Sequence, residues 1–326
     1  MDRATALARL AELRPRGFAD GIRTQGTGTT PGGTEVDPRP TFGLGLAAGV
    51  DADDFRIAIR VQDKKLLGGA RVASVVEAVG GEADIDFVGL LQPFIDPATP
   101  SPTQRARPLV PGASISLATD TGAGTLGCFV RDDGATYLLS NSHILTSHGT
   151  AALQASVLQP ATYDGGKRTT DHVATLTRAV AMDITQFNVA DCAIAEIDTS
   201  STAVLTEIPG VGQPSTSSLQ AELGMRVIKR GRTSNVTLGA VTAISLNLKF
   251  AWPQGAMELI DLIEITADSG TADFAGRGDS GALILSETDL CPVALLIGGG
   301  TASNGQVVVY ATPIATVLGE LNVSLL

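Results

Sequence analysis

Cysteine is scarce in this chain: its 326 residues include three, Cys128, Cys192 and Cys291. An odd set of three closes one disulfide at most, and nothing in the spacing requires even that, so a disulfide-stapled scaffold is excluded. Three thiols packed as small apolar side chains are expected instead. No residues have metal-ligand spacing, and no metal or other cofactor is expected. Positive charge is also short. Lys and Arg number 23 against 34 Asp and Glu, a net charge of −11, and no basic run is interleaved with aromatics. A nucleic-acid binder needs clustered cations against phosphates, so that partner class is excluded. No stretch reaches the ~20 apolar residues of a membrane span. The start, Met1-Asp2-Arg3-Ala4-Thr5-Ala6-Leu7, lacks the basic-then-apolar pattern of a signal peptide. The cytoplasm is the expected compartment.

What the chain does have is glycine, 37 residues of it, together with a hydrophobic fraction of 44%. With many Thr, Ser and Val, this composition suits short strands joined by turns around a sizeable core. The length allows one large unit plus a smaller module. Residues 2–14 read as a helix, with Leu7, Leu10 and Leu13 at helical spacing. Residues 26–40, rich in Gly, Thr and Pro, read as a flexible linker. Between 41 and 97 the pattern is that of a small α/β module. Its strands are expected at 42–46, 55–61 and 85–90, and its helix at 72–79. A Pro-, Thr- and Arg-rich join follows at 98–112. The domain boundaries expected are therefore 1–40, 41–104 and 105–326.

One short segment carries chemistry, Arg277-Gly278-Asp279-Ser280-Gly281-Ala282. Glycines flanking a serine let the backbone turn sharply and present the hydroxyl at a loop tip. They also leave N–H groups free to face a developing oxyanion. The plain alternative is a surface turn, which Gly, Asp and Ser all suit. A nucleophile needs a base within reach. Of the three histidines, His143 sits where the strand-like run 136–140 gives out into a loop. His148 lies in a polar loop and reads as solvated, and His172 has no comparable setting. An acid to orient the histidine is expected at Asp191, which interrupts the apolar run 189–197. A carboxylate there needs a partner, and a histidine N–H is one. A local cap is the other use for Asp191, and Asp183 is its rival for the acid role.

The order His143, Asp191, Ser280 is that of chymotrypsin-type enzymes. Around it the sequence resembles bacterial trypsin-like serine peptidases. The resemblance rests on 124–130 with 138–143, on 158–166, on 189–195, on Val227 to Ser234 with its Gly231-Arg232-Thr233, and on 278–282. It covers about residues 105–326. It implies a mainly β fold of two Greek-key barrels, at about 105–205 and 224–313, with a terminal helix at 314–321. It also implies that Ser280 attacks a peptide carbonyl, that His143 moves the proton, and that Asp191 orients His143. Backbone N–H groups of Gly278 and Ser280 would form the oxyanion hole. Asp279 pairs with a freed amino terminus in many relatives. Here Arg232 is the candidate partner, making the site ready without a cut.

Substrate-binding residues implied by the same resemblance are Phe274, near the pocket floor, and Gly298 and Gly299, whose backbone would pair with an extended peptide. Phe274 and Ala275 suggest a small or apolar side chain in the pocket, and Asp273 a basic one. The reading is a serine endopeptidase acting on a specific intracellular protein or peptide. The alternative is an inactive peptide-binding or scaffolding module on the same fold. Residues 1–104 are the candidate surface for a regulatory protein partner that gates the cleft.

Overall fold

A computed structural model describes residues 1–18, 42–49, 51, 53–89, 91–93, 104–268 and 271–326. The linker expected at 26–40 lies outside the described residues, as do 98–103 of the join.

The chain starts with α1 (Arg3–Phe18), β1 (Phe42–Ala48), β2 (Phe55–Val61), α2 (Ala70–Ala78), β3 (Ala83–Phe87) and β4 (Gln92–Pro93). The buried stripe of α1 is Ala6, Leu10 and Leu13, whereas Leu7 is 41% exposed. The helix is thus rotated from the expected Leu7, Leu10, Leu13 face, with spacing i, i+4, i+7. β1 and β2 pair antiparallel, and β2 runs parallel to β3, with α2 as the crossover that a parallel pair requires.

The next part comprises β5 (Ser114–Leu117), β6 (Gly124–Thr125), β7 (Cys128–Asp132), β8 (Ala135–Ser140), α3 (Ser142–Leu145), β9 (Ser156–Leu158), β10 (His172–Ala179), β11 (Phe187–Asn188) and β12 (Ala193–Glu196). β5 pairs the stretch β6–β7 at its start, and that stretch pairs β8 at its end. The ring continues through β12, β10 and β9 back to β5. Taking β6–β7 as one bent strand, the six strands close in the circular order 1-2-3-6-5-4.

The remainder is β13 (Arg226–Gly231), β14 (Asn235–Trp252), β15 (Gly255–Ala267), β16 (Leu283–Ser286), β17 (Pro292–Thr301), β18 (Val307–Pro313), α4 (Ile314–Leu321) and β19 (Ser324–Leu325). β13, β14, β15, β18, β17 and β16 pair in a ring. The circular order 1-2-3-6-5-4 is repeated, so the two barrels share one Greek-key wiring. The mainly β, two-barrel expectation holds, and the terminal helix spans the residues expected for it.

Apolar residues alternate into each barrel. Leu138, Phe129 and Val157 fill the first, and Val227, Ile265 and Val309 the second. A third cluster, with Cys192, Ile208, Leu295 and Val317, lies between the barrels under α4. β19 completes that seam by pairing with β7.

The expected α/β module does not stand apart. β14 runs well past β13, and β1 pairs with this extension, Leu46 opposite Ile244. The Arg60 guanidinium of β2 grips the Glu264 carboxylate of β15 at 2.7 and 3.0 Å, and Tyr310 Oη donates to the same carboxylate. All three are buried. Strands β1–β3 are therefore an outward continuation of the second barrel's sheet, with α1 and α2 sharing its core.

Candidate active site

The pairing of β8 with β12 brings two distant segments to one rim. Ser140, the last residue of β8, lies opposite Ala193, the first of β12. His143, just beyond the one, and Asp191, just before the other, meet there. The His143 N–H, in the unsatisfied first turn of α3, donates to Asp191 Oδ1 at 3.0 Å. Nδ1 of the same residue bonds Asp191 Oδ2. Asn141 Nδ2 donates to the Asp191 carbonyl at 2.8 Å. With Nδ1–H committed to the carboxylate, Nε2 is the basic nitrogen. Nε2 is buried and has no hydrogen-bond partner among the described residues. Asp183 takes no part: it binds the N–H and hydroxyl of Thr185 in a local turn, at 2.7 and 2.6 Å.

The glycine-flanked serine is clamped from both barrels. Gly278 and Gly281 have φ of +100° and +92°, where a side chain is strained. A Cβ on Gly281 would lie 2.2 Å from Ser140 Oγ. Thr233 Oγ1 donates to the Arg277 carbonyl at 2.6 Å. Because C=O and N–H of a trans peptide point apart, the Gly278 N–H is turned away from Thr233. Thr125, from the first barrel, donates its hydroxyl to Gly278 O and its N–H to Ser280 O, both at 2.8 Å. Ser280 Oγ itself donates to Ile297 O at 2.7 Å.

Asp279 is held from the second barrel, and not by the residue expected. Its carboxylate accepts from Thr233 N at 2.8 Å, Gly276 N at 2.9 Å and Ser234 Oγ at 2.5 Å. The cation facing it is Lys229, at 3.4 Å, and neither side chain is exposed at all. Burial pushes the Lys229 ammonium below its usual pKa, against the pull of Asp279. Gly231 is required here, since a Cβ would lie 2.2 Å from Asp279 Oδ1. Arg232 instead reaches to Asp164 of the first barrel, with Nε to Oδ2 at 2.9 Å and Nη2 to Oδ1 at 2.5 Å. It also lies over the Tyr163 ring. The planar fork of a guanidinium suits that two-point grip. Arg232 thus ties the barrels together, and Lys229 takes the role expected of it.

Two further expectations are corrected. Phe274 does not reach the cleft surface. It is fully buried in the second barrel's core beneath Lys229, whose Nζ is 5.4 Å from the ring centroid. His148 is not simply solvated. Its ring is half-buried, with its centroid 5.7 Å from that of His143 and 6.0 Å from that of Trp252, and Trp252 and His143 are perpendicular with centroids 5.5 Å apart. Gln254, beyond Trp252 at the β14–β15 tip, donates to the His148 carbonyl. A cavity of about 110 Å³ beside these rings is lined by residues including Gly122, Gly124, His143 and His148. Gly298 and Gly299 are already paired, opposite Pro93 and Gln92. Burial drives the Cys128 thiol up to about 12 and raises Cys192 as well, so neither is a thiolate nucleophile near neutrality.

Burial, and then the neighbouring His143 ring, push His148 down to about 4 from 6.5. The unfolded chain therefore takes up this proton first on acidification. The stability His148 contributes is complete above the unfolded value and is lost as pH falls towards the folded one. Urea midpoints should drop more steeply for wild type than for His148→Asn between about pH 7 and pH 4.5. Parallel slopes would contradict a buried, neutral ring.

Among known proteins, residues 174–314 match the Nal1 C-terminal domain family. A search of curated proteins finds no match. Among solved structures, Thermobifida fusca protease A shares 17% identity over 67% of this chain and 97% of that one, with a TM-score of 0.47. A glutamic-acid-specific serine protease that uses a histidine triad in substrate binding shares 18%, over 67% of this chain and all of that one, with a TM-score of 0.49. Cellulomonas bogoriensis chymotrypsin shares 15%, over 67% and 97%, with a TM-score of 0.46.

Proposed function

We propose that this chain is a serine endopeptidase whose nucleophile is Ser280. The observation that carries the reading is the buried Asp191–His143 pair. It leaves Nε2, without a hydrogen-bond partner among the described residues, at the rim that also clamps the glycine-flanked serine. Sealing a carboxylate away from water is costly, its bonds to His143 offset that cost, and a carboxylate so placed is what orients a general base. A scaffold that only bound peptides would have no need of that pair.

In the first step Ser280 Oγ turns from Ile297 O to His143 Nε2, which takes its proton as Oγ attacks the peptide carbonyl. Catalytic hydrogen bonds are often made only once substrate is bound. The Gly278 and Ser280 N–H groups receive the oxyanion, each such donor contributing ~10²–10³ in turnover. His143 returns the proton to the leaving amine, giving an acyl-Ser280 intermediate. Water, deprotonated by the same nitrogen, then releases the acid. Asp191 stabilises the imidazolium at each stage. Lys229, through Asp279, keeps the oxyanion turn in shape without a freed amino terminus, so the uncut chain is chemically competent.

The test is labelling with a small fluorophosphonate. One adduct should form, on Ser280, and none in Ser280→Ala. A chain that labels nowhere, or labels equally well in Ser280→Ala, would remove the reading.

A further inference from the structure

β17 has two edges. One is paired along its length with β18. The other pairs with β16 only as far as Leu295, after which Gly281 N donates to Leu296 O at 2.9 Å. Beyond that point β16 no longer covers this edge, which begins at the nucleophile, where Ser280 Oγ donates to Ile297 O. An extended peptide that reached Ser280 would add to this edge as a strand.

The chain's own β4 is already there. It runs antiparallel to β17, with Pro93 opposite Gly298 and Gln92 opposite Gly299. Pro93 has no N–H to give, so the ladder bonds fall to Gln92 and Gly299. The segment leading into β4 is firmly seated. The Leu91 carbonyl accepts from Ala251 N at 3.0 Å, and Leu91 bridges Phe250 on β14. Val88 N donates to Val61 O at 2.9 Å. Val88 and Leu91 are buried in one apolar cluster with Ile297, Phe250 and Trp252. Gly300 is shaped to this segment: a Cβ there would lie 2.7 Å from Val88 O and 3.0 Å from a Leu91 methyl. Ser280 and His143 are correspondingly shut in, at 0% and 1% exposed.

We propose that β4, seated through Val88 and Leu91, is a built-in competitive strand that keeps the cleft closed, and that this protein cleaves an extended peptide only when the strand leaves β17. The proposal rests on the endopeptidase reading. It also gives the module formed by β1–β3 a role, because that module anchors the strand through Val61 and positions it across the cleft. A site available only part of the time binds its ligand more weakly by that fraction, so releasing the strand raises activity without altering the chemistry at Ser280.

Two full-length variants loosen the strand from opposite sides. Leu91→Asp removes its apolar anchor and leaves β17 untouched. Gly300→Ala pushes a methyl into the space that Val88 and Leu91 fill. Each is compared with wild type for cleavage of a proteome-derived peptide library, read by mass spectrometry, and for fluorophosphonate labelling of Ser280. Near-UV circular dichroism checks the fold. Cleavage of the same library peptides should accelerate about tenfold or more in Leu91→Asp, and by less in Gly300→Ala, where the methyl that displaces the strand also lies on the edge the peptide joins. If both variants keep the native fold and label at Ser280 but cleave no faster than wild type, the strand is no inhibitor and the proposal fails alone. If no form labels, the endopeptidase reading fails and takes this proposal with it.

Discussion

Replacing His143 with alanine should lower turnover by ~10⁴–10⁶ if the proposed mechanism holds, and Ser280→Ala by as much. The two together cost no more than either alone, because a base without a nucleophile and a nucleophile without a base are equally idle. Asp191→Asn costs ~10⁴, since an amide in place of the carboxylate turns the wrong nitrogen towards the serine. It also forfeits the charge that holds the His143 N–H at 3.0 Å. Single-turnover hydrolysis of an activated ester, followed in all four variants, checks this. An additive double variant, or an Asp191→Asn protein with wild-type turnover, would show that the three groups do not act as one unit.

The second large effect is on stability. Lys229 and Asp279 are both fully enclosed, and taking away one charge strands the other. Such a loss costs ~3–5 kcal/mol. Lys229→Met should therefore unfold at far lower urea than wild type, even though methionine fills much of the lysine's volume. Asp279→Asn should also lose stability, because the amide repels one of the N–H groups of Thr233 and Gly276 that the carboxylate accepts. The double variant Lys229→Met/Asp279→Asn should lose less than the sum, by ~1–3 kcal/mol, as expected for groups in direct contact. Strict additivity in urea melts would mean that the backbone N–H groups alone satisfy Asp279. The variants should also lose turnover beyond their fraction folded, since the Gly278 N–H depends on this corner.

Much of the site is legible in short stretches of sequence. Ser280 announces itself by the glycines at 278 and 281, which the structure places at positive φ. His143 and Asp191 each sit at the end of an apolar strand, a position that only pairing excuses. The strand pattern of β13 also holds a signal for the buried cation. Val227 and Gly231 face inward, and period 2 puts Lys229 on the same buried face. Arg232 is the more conspicuous candidate only because it stands in the Gly-Arg-Thr segment. Its true partner, Asp164, is 68 residues away in the other barrel and could not be inferred from neighbours. Phe274 shows the same limit, since a position near the serine in sequence says little about which side of a core wall it faces.

The non-local features were the least visible. β1 joins a strand nearly two hundred residues later, and the register follows from β14 outrunning β13, which no local pattern reveals. β4 is two residues long, one of them proline, and proline argues against a strand unless it lies at an edge. Its meaning comes only from what it lies against.

The central claim is acyl transfer through the Ser280 hydroxyl, and trapping the intermediate tests it most directly. Wild-type protein and Leu91→Asp are mixed with an activated ester, quenched in acid within the first turnover, and mapped by peptide mass. The account predicts a single acyl group on Ser280 at up to one per chain, absent in His143→Ala. No acyl protein in either form, or acyl groups on another residue, would contradict it.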